Sequence, residues 1–302
     1  MSPIIYNLTD MKGIILAGGT GSRLAPLTSS VCKQILPVYN KPLIYYPLSV
    51  LMLAGIREVL VISTERDIEL FKKLLGDGSS LGMKFEYAVQ SAPEGIAQAF
   101  LIGKDFTGSD DVCLILGDNI FYGQSFTELL KDCVKDICDK NCSALVFGYG
   151  VKDPERYGVL SFDKENKVCG ITEKPENPDS EYAVPGIYFF NSSVVEEASK
   201  IVPSSRGELE ITDILKSYLN KNELKCRILG RGFVWMDAGT FESLLEAGNF
   251  IASIEKRQGF FVACIEEIAF KNGWISESQV MKLADNYKNE YGKYLRELII
   301  SG

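Results

Sequence analysis

The 302-residue chain contains no histidine. That absence removes the imidazole base on which Ser-His-Asp and Cys-His nucleophile systems depend, and it leaves nothing to complete a Cys/His zinc site. No apolar run reaches the ~18 residues expected of a membrane-spanning helix, and residues 1–10 lack the basic-then-apolar order of a signal peptide. The expected setting is the cytoplasm, away from membranes. A formal net charge of -8 supplies no general Lys/Arg face to displace condensed counterions, so no nucleic-acid partner is expected; a local basic pocket is still compatible with it. CxxC pairs are missing too: Cys133, Cys138 and Cys142 come nearest to a cluster, and Cys113 and Cys169 fall inside apolar runs, so buried free thiols are expected.

What is present is globular. Hydrophobic residues make up 46% and charged residues 24% of the chain, enough for a sizeable core in one large α/β domain with an appendage, or in two modest domains. Apolar runs at 13–17, 59–63, 85–89 and 112–116 read as buried strands, with helix-length segments at 41–54, 65–75, 94–102 and 125–139. The segment 41–54 carries Pro42 near its start, ends at Gly55, and is expected to kink at Pro47. Such alternation implies right-handed crossovers and a parallel sheet covered on both faces. Beyond residue 143 the texture turns to strand-like pieces at 144–149, 158–162, 168–173 and 182–190, then a helix at 208–220. Strands at 225–229 and 233–237 and a helix at 241–255 follow, and the chain is mainly helical from 259. A mixed-sheet extension is expected, with no internal repeat and no linker.

The strongest local signal is Ala17-Gly18-Gly19-Thr20-Gly21-Ser22-Arg23-Leu24, directly after the first strand. Glycines let backbone N–H groups approach an anion, and a planar guanidinium adds a fork for phosphate oxygens; alone, the motif is also compatible with a mere tight turn. It is not a P-loop, since no Gly-Lys-Ser/Thr follows, and Leu24 stands where the dinucleotide pattern needs its third glycine. Lys33 lies ten residues beyond Arg23, as a second cation for the same phosphates or as a solvated charge. The strands at 112–116 and 233–236 end in Asp118 and Asp237, where open α/β sheets bind ligands. Mg²⁺ typically takes one or two protein carboxylates, with substrate phosphates and waters filling the rest. Either aspartate alone is more often a turn or cap residue.

The order of these motifs resembles that of the bacterial and archaeal glucose-1-phosphate thymidylyltransferases, a branch of the sugar-nucleotide pyrophosphorylases. Matching segments are Leu16-Ala17-Gly18-Gly19 through Arg23-Leu24-Ala25-Pro26-Leu27-Thr28, Lys33-Gln34 with Lys41-Pro42, and Tyr87-Ala88-Val89-Gln90 with Ala97-Gln98-Ala99. Leu116-Gly117-Asp118-Asn119, Pro154-Glu155-Arg156-Tyr157-Gly158-Val159, Glu173-Lys174-Pro175 and residues 206–213 continue the likeness, which runs from about Met11 to the C-terminus.

The resemblance implies an α/β, Rossmann-like nucleotidyltransferase fold, with a mixed, mainly parallel central sheet and helices on both faces. Residues 11–240 would form the core, with nucleotide and sugar-phosphate halves, and 241–302 a helical extension packed on it. Ala17, Gly18, Gly19, Thr20, Gly21 and Arg23 would hold the triphosphate of dTTP, with Gln34, Gln90 and Gly95 reading the pyrimidine. Asn119, Tyr157, Gly158, Glu173, Lys174, Val184 and Arg206 would surround glucose 1-phosphate. Arg23, Lys33 and Lys174 would serve catalysis, and Asp118 and Asp237 would hold Mg²⁺, Asp118 also facing the nucleotide. A homotetramer and feedback binding of a dTDP-sugar end product are implied as well. A sugar 1-phosphate oxygen is already anionic, so attack on the α-phosphorus needs positioning and charge neutralisation rather than a histidine base.

Cys32 stands where the family usually has serine, Pro185 where threonine is common, and Thr240-Phe241-Glu242 replaces a Thr-His-Asp run. None of these removes a charged group named above; Pro185 bears on the shape of the sugar pocket. The alternatives are a sister enzyme using UTP or another sugar 1-phosphate, and a sugar-nucleotide sensor without turnover. Such a sensor should lack the cations and carboxylates present here. The failed glycine pattern disfavours a nicotinamide oxidoreductase.

Overall fold

Strict alternation of buried side chains organises the molecule, which a computed structural model describes for residues 11–300 apart from Thr20 and Asn166. The strands are, in chain order, β1 (Met11–Leu16), β2 (Pro37–Val38), β3 (Lys41–Pro42), β4 (Glu58–Ser63), β5 (Lys84–Val89), β6 (Asp111–Leu116) and β7 (Asn119–Gly123). They continue as β8 (Ala144–Gly150), β9 (Gly158–Phe162), β10 (Val168–Glu173), β11 (Tyr182–Ala183), β12 (Ile187–Phe190), β13 (Leu224–Leu229) and β14 (Phe233–Asp237). Along β1, Met11 and Ile15 enter one apolar cluster and Ile14 the other; Val59 and Val61 oppose Leu60 and Ile62 on β4, and Phe189 opposes Phe190 on β12. Strands buried on both faces read as continuous apolar runs for this reason.

The large sheet has the order β10-β9-β11-β8-β12-β6-β1-β4-β5, with β13 beside β8. At one end of it β5, β4, β1 and β6 run parallel, with β5 at the edge. Antiparallel β12 is inserted between β6 and β8, which makes the sheet mixed. From β1 the chain goes to β4 on one side and to β6 on the other, so a switch point, the preferred ligand position in such sheets, opens at the carboxyl ends of β1 and β6.

Helices α1 (Tyr45–Leu53), α2 (Ile68–Leu75), α3 (Gln98–Ile102), α4 (Lys104–Thr107), α5 (Phe126–Cys138), α6 (Val194–Lys200) and α7 (Ile211–Asn220) cover the two faces. After them come α8 (Phe241–Gln258), α9 (Ile265–Lys271), α10 (Glu277–Ala284) and α11 (Glu290–Ile300). Ile265, Ala269, Val280 and Leu295 join the same apolar cluster as α1 and β1. Lys41 and Glu255 form a buried ion pair at 2.8 Å, with the ammonium 5.1 Å from the Phe261 ring centre; it ties the β2–β3 hairpin to α8. Among the described residues, no helix is long and apolar enough to cross a membrane.

Several expectations need correction. The helix expected over 41–54 begins at Tyr45, because residues 37–42 pair as a small hairpin. Pro47 is its third residue, in the first turn, where a missing N–H breaks no intrahelical bond, so it does not kink the helix there. The helix expected over 94–102 begins at Gln98, after Gly95 at φ 107°. The strand expected over 182–190 is split into β11 and β12 by Pro185 and Gly186. Cys169 is exposed, not buried, because β10 is the outermost strand of its sheet; Cys138 and Cys226 are half-buried. Helix α6 and strand β7 were not anticipated.

Candidate active site

Strand β1 delivers the glycine-rich turn to the switch point. Ala17 N donates to Ile62 O at 2.8 Å and Ser63 Oγ to Ala17 O at 3.0 Å, which fixes the turn to β4. A Cβ on Gly18 would lie 2.5 Å from Gln90 Oε1, so a side chain there would collide with Gln90, which is itself nearly buried. Leu24 anchors a single helical turn, Ser22–Leu24, that leaves Arg23 exposed. Its guanidinium reaches across to Gly239, where a Cβ would meet Nη2 at 2.9 Å. Gly19 and Gly21 take positive φ, 97° and 61°, and Thr20, also predicted in this turn, lies outside the described residues.

Both aspartates meet here because of strand register. Strand β7 starts immediately after Asp118, and β14 pairs with it so that Asp237 stands opposite Asn119. Lys33 bonds Asp118 Oδ2, and Asn119 Nδ2 donates to Oδ1 at 2.9 Å. Burial raises the Asp118 pKa, but the charge and hydrogen bond of Lys33, with the Asn119 bond, more than offset it and hold the carboxyl below its ordinary value. It is ionised at neutral pH. Asn119 is in turn locked, since its Oδ1 accepts from Trp235 Nε1 at 2.6 Å and from Gly186 N at 3.1 Å. Asp237 accepts from Tyr157 Oη at 3.2 Å and from Arg156 Nη2 at 3.3 Å. Its pKa is raised, by burial first, with Arg156 pulling the other way and the Asp118 charge adding to the rise.

Across the cavity, Glu173 sits 3.9 Å from Lys174 Nζ and 3.3 Å from Arg206 Nη2. Burial and then the neighbouring Glu210 push its pKa up, against the two cations. Lys174 has φ 41°, a backbone region sparsely used by side-chain residues, and its N–H is fixed to Tyr157 O at 2.9 Å. Arg206 is held mainly by Glu210, at 2.8 Å.

A cavity of about 440 Å³ joins these groups. From the expected nucleotide and metal set, Arg23, Asp118 and Asp237 line it; from the expected sugar-phosphate set, Asn119, Tyr157, Gly158, Glu173, Lys174 and Val184 do. Lys33 stands behind Asp118, and Arg206 behind Glu173. Gln34 and Gln90 lie against Gly18 of the glycine turn, Gly95 packs against Leu209, and none of the three is among the residues that line the cavity. Gln34 Nε2 is 3.4 Å from Gly18 O, while its buried Oε1 has no partner. Gln90 Nε2 bonds Gln98 at 2.6 Å.

Gly95 is bracketed by Leu209 N→Glu94 O at 2.6 Å and Ala97 N→Leu209 O at 3.1 Å. A Cβ there, at φ +107°, would stand 2.6 Å from Leu209 N. Gly95→Ala is therefore expected to cost about 3 kcal/mol, read as a fall of roughly 5–10 °C in Tm by thermal unfolding; an unchanged Tm would show that the loop gives way freely.

Reading the sequence missed Arg156, Trp235 and Tyr188, which also line the cavity. A signal existed for two of them: Trp235 is two residues before Asp237 on one strand, hence on the same face, and Arg156 directly precedes Tyr157. Among the described residues, no group of three or more His, Cys, Asp or Glu side chains is placed to hold a metal. Two carboxylates with phosphate oxygens and waters nevertheless fit the hard, oxygen-liganded chemistry of Mg²⁺.

Comparison with known proteins identifies the family. Residues 12–254 match the nucleotidyl transferase family model. The glucose-1-phosphate thymidylyltransferase of Neisseria meningitidis is 54% identical over 290 residues, 96% of this chain and 99% of the relative; that of Mycobacterium tuberculosis is 47% identical over the same shares. A Bacillus anthracis protein proposed to be a glucose-1-phosphate thymidylyltransferase, solved with sucrose, superposes with a TM-score of 0.73 at 40% identity, over 80% of this chain and 94% of that one. A UDP-glucose pyrophosphorylase bound to UDP-glucose gives 0.70 at 25% identity, over 82% and 99%. With a family model matched over most of its length and full-length relatives at about half identity, the chain belongs to the nucleotidyl transferase family.

Proposed function

We propose that the chain transfers a thymidylyl group from dTTP to glucose 1-phosphate, giving dTDP-glucose and pyrophosphate. The observation that carries this reading is one cavity lined by two cations, Arg23 and Lys174, and three carboxylates, Asp118, Asp237 and Glu173. Two polyanions have to be brought together, and fixed cations in a half-enclosed site do that at little reorganisation cost. Arg23 and the glycine turn hold the triphosphate, and Lys33 stabilises the charge that develops as pyrophosphate leaves. Lys174 and Arg206 face the sugar phosphate, Glu173 accepts from sugar hydroxyls, and Asn119, Tyr157, Gly158 and Val184 complete the pocket. The phosphate oxygen of the sugar then attacks the α-phosphorus in line. Asp118 and Asp237 would hold Mg²⁺, which supplies further neutralisation of phosphate charge.

A pyrimidine dione presents an N–H between two carbonyls, and the unpaired, buried Gln34 Oε1 offers an acceptor beside Gly18; Gln90 and Gly95 complete the base site in this reading. Uridylyl transfer is the alternative, resting on a neighbour at 25% identity, whereas the relatives named for thymidylyl transfer reach 47–54%. A silent sensor is disfavoured by the full set of cations and carboxylates. The same reading places the enzyme in the cytoplasm as a homotetramer, built of the 11–240 core and the 241–302 extension. It would supply deoxysugar and cell-surface polysaccharide synthesis and be open to feedback by a dTDP-sugar.

The test is to incubate the protein with dTTP, glucose 1-phosphate and Mg²⁺ and follow dTDP-glucose by mass. Equal amounts of sugar nucleotide and pyrophosphate are expected, stopped by chelation and restored by added Mg²⁺. Nucleotide binding without any product would overturn the reading.

A further inference from the structure

Each of the two strand-end aspartates is matched by a cation: Asp118 by Lys33 and Asp237 by Arg156, the latter at 3.3 Å. The second pairing has an unusual construction. Arg156 Nη2 takes one oxygen of Asp237 and Tyr157 Oη the other, at 3.2 Å, so two consecutive residues cap both oxygens. Asp153 clamps the other arm of the guanidinium, Nη1, at 2.6 Å, and the guanidinium lies 5.3 Å over the Tyr157 ring. That ring leans on Trp235 at 5.0 Å, while the carbonyl of Tyr157 accepts from Lys174 N at 2.9 Å. One short segment thus joins the Asp237 carboxylate to the sugar-phosphate side of the cavity.

A guanidinium already paired with a carboxylate competes with a hard divalent cation for the same negative charge, and each Asp237 oxygen already accepts one donor. We infer that Arg156 is a counter-ion latch, standing at Asp237 in place of the divalent cation and exchanged for it when the metal arrives. Arrival releases the guanidinium and the Tyr157 hydroxyl toward the sugar-phosphate end of the cavity, so that metal uptake and completion of that subsite are one event. Arg156 acts through Asp237 and is a positioning residue. The pair is more than a third exposed on the arginine side, and exposed pairs are weak enough that the competition should amount to about two- to fivefold in metal affinity. The inference rests on reading Asp237 as a metal ligand.

The probe is Mn²⁺ binding to the full, substrate-free chain, measured by water-proton relaxation. Arg156→Gln is expected to bind Mn²⁺ about two- to fivefold more tightly than the parent chain, Arg156→Lys to return toward the parent value, and Lys174→Gln to leave it unchanged. Lys174→Gln removes a charge from the same cavity without touching Asp237 and so separates pairing from the general field. In a Trp274→Phe background, Mg²⁺ should change the emission of Trp235 in the parent and change it less in Arg156→Gln. An Arg156→Gln affinity that is unaltered or weaker overturns the latch, as does equal tightening in Lys174→Gln. An unaltered affinity in Asp237→Asn instead overturns the metal assignment beneath it.

Discussion

Replacing Lys33 with alanine is expected to lower kcat by about a thousandfold, with KM for dTTP changed much less. An ammonium that gains its importance only as charge develops on the leaving pyrophosphate acts on the transition state more than on the bound substrate, and removing one such donor costs roughly 10²–10³ in rate. The fold should survive. Lys33 lies on a one-turn segment, Lys33–Ile35, whose anchor is buried Gln34. The Lys33 and Asp118 side chains keep 14% and 17% of their exposure, so water reaches the carboxylate left behind. Steady-state kinetics with circular dichroism and thermal unfolding check this; a rate near the parent value in a folded variant would remove Lys33 from the mechanism.

Asp118→Asn is expected to be at least as damaging, about a thousandfold or more in turnover, and to stay low when Mg²⁺ is raised tenfold. Asparagine preserves shape and the contact with Asn119 but removes an anion that Lys33 and Asn119 keep ionised. It also leaves the Lys33 ammonium without its counter-ion. Because the two residues form one unit, the double variant should be little worse than the poorer single one, a non-additivity that independent roles would not give. Turnover within tenfold of the parent would show that Asp118 holds no catalytic metal.

Of the four parallel strands, the edge strand β5 is only half-buried, while β1, β4 and β6 were legible because they are largely buried on both faces and therefore nearly continuous in apolar residues. The hairpin at Pro37–Val38 and Lys41–Pro42 was not, since two-residue strands leave no periodicity and Pro42 looks like a helix start. Strand β7 was hidden because Gly117-Asp118-Asn119 reads as a turn; only its pairing with β14 shows that Asp237 stands opposite Asn119. In the candidate site, glycines and strand-end aspartates carry a local signature, so Gly18, Arg23, Asp118 and Asp237 stand out as candidates from position alone, and the last three line one cavity. Arg156 was passed over because an arginine in a surface-like Asp-Pro-Glu-Arg run is ordinarily solvated, and its partner lies 81 residues away. Trp235 falls inside the strand expected at 233–237 with no role assigned to it, whereas its indole N–H fixes Asn119 from 116 residues away. Long-range hydrogen bonds of this kind follow from register, which sequence periodicity does not specify between distant strands.

The central claim is thymidylyl transfer to glucose 1-phosphate, and pyrophosphate release measured with Mg²⁺ across dTTP, UTP, GTP and ATP, each with glucose 1-phosphate and with other sugar 1-phosphates, tests it most directly. The account predicts the highest kcat/KM for dTTP paired with glucose 1-phosphate. A higher value for UTP, for another sugar phosphate, or no release from any pair would contradict it.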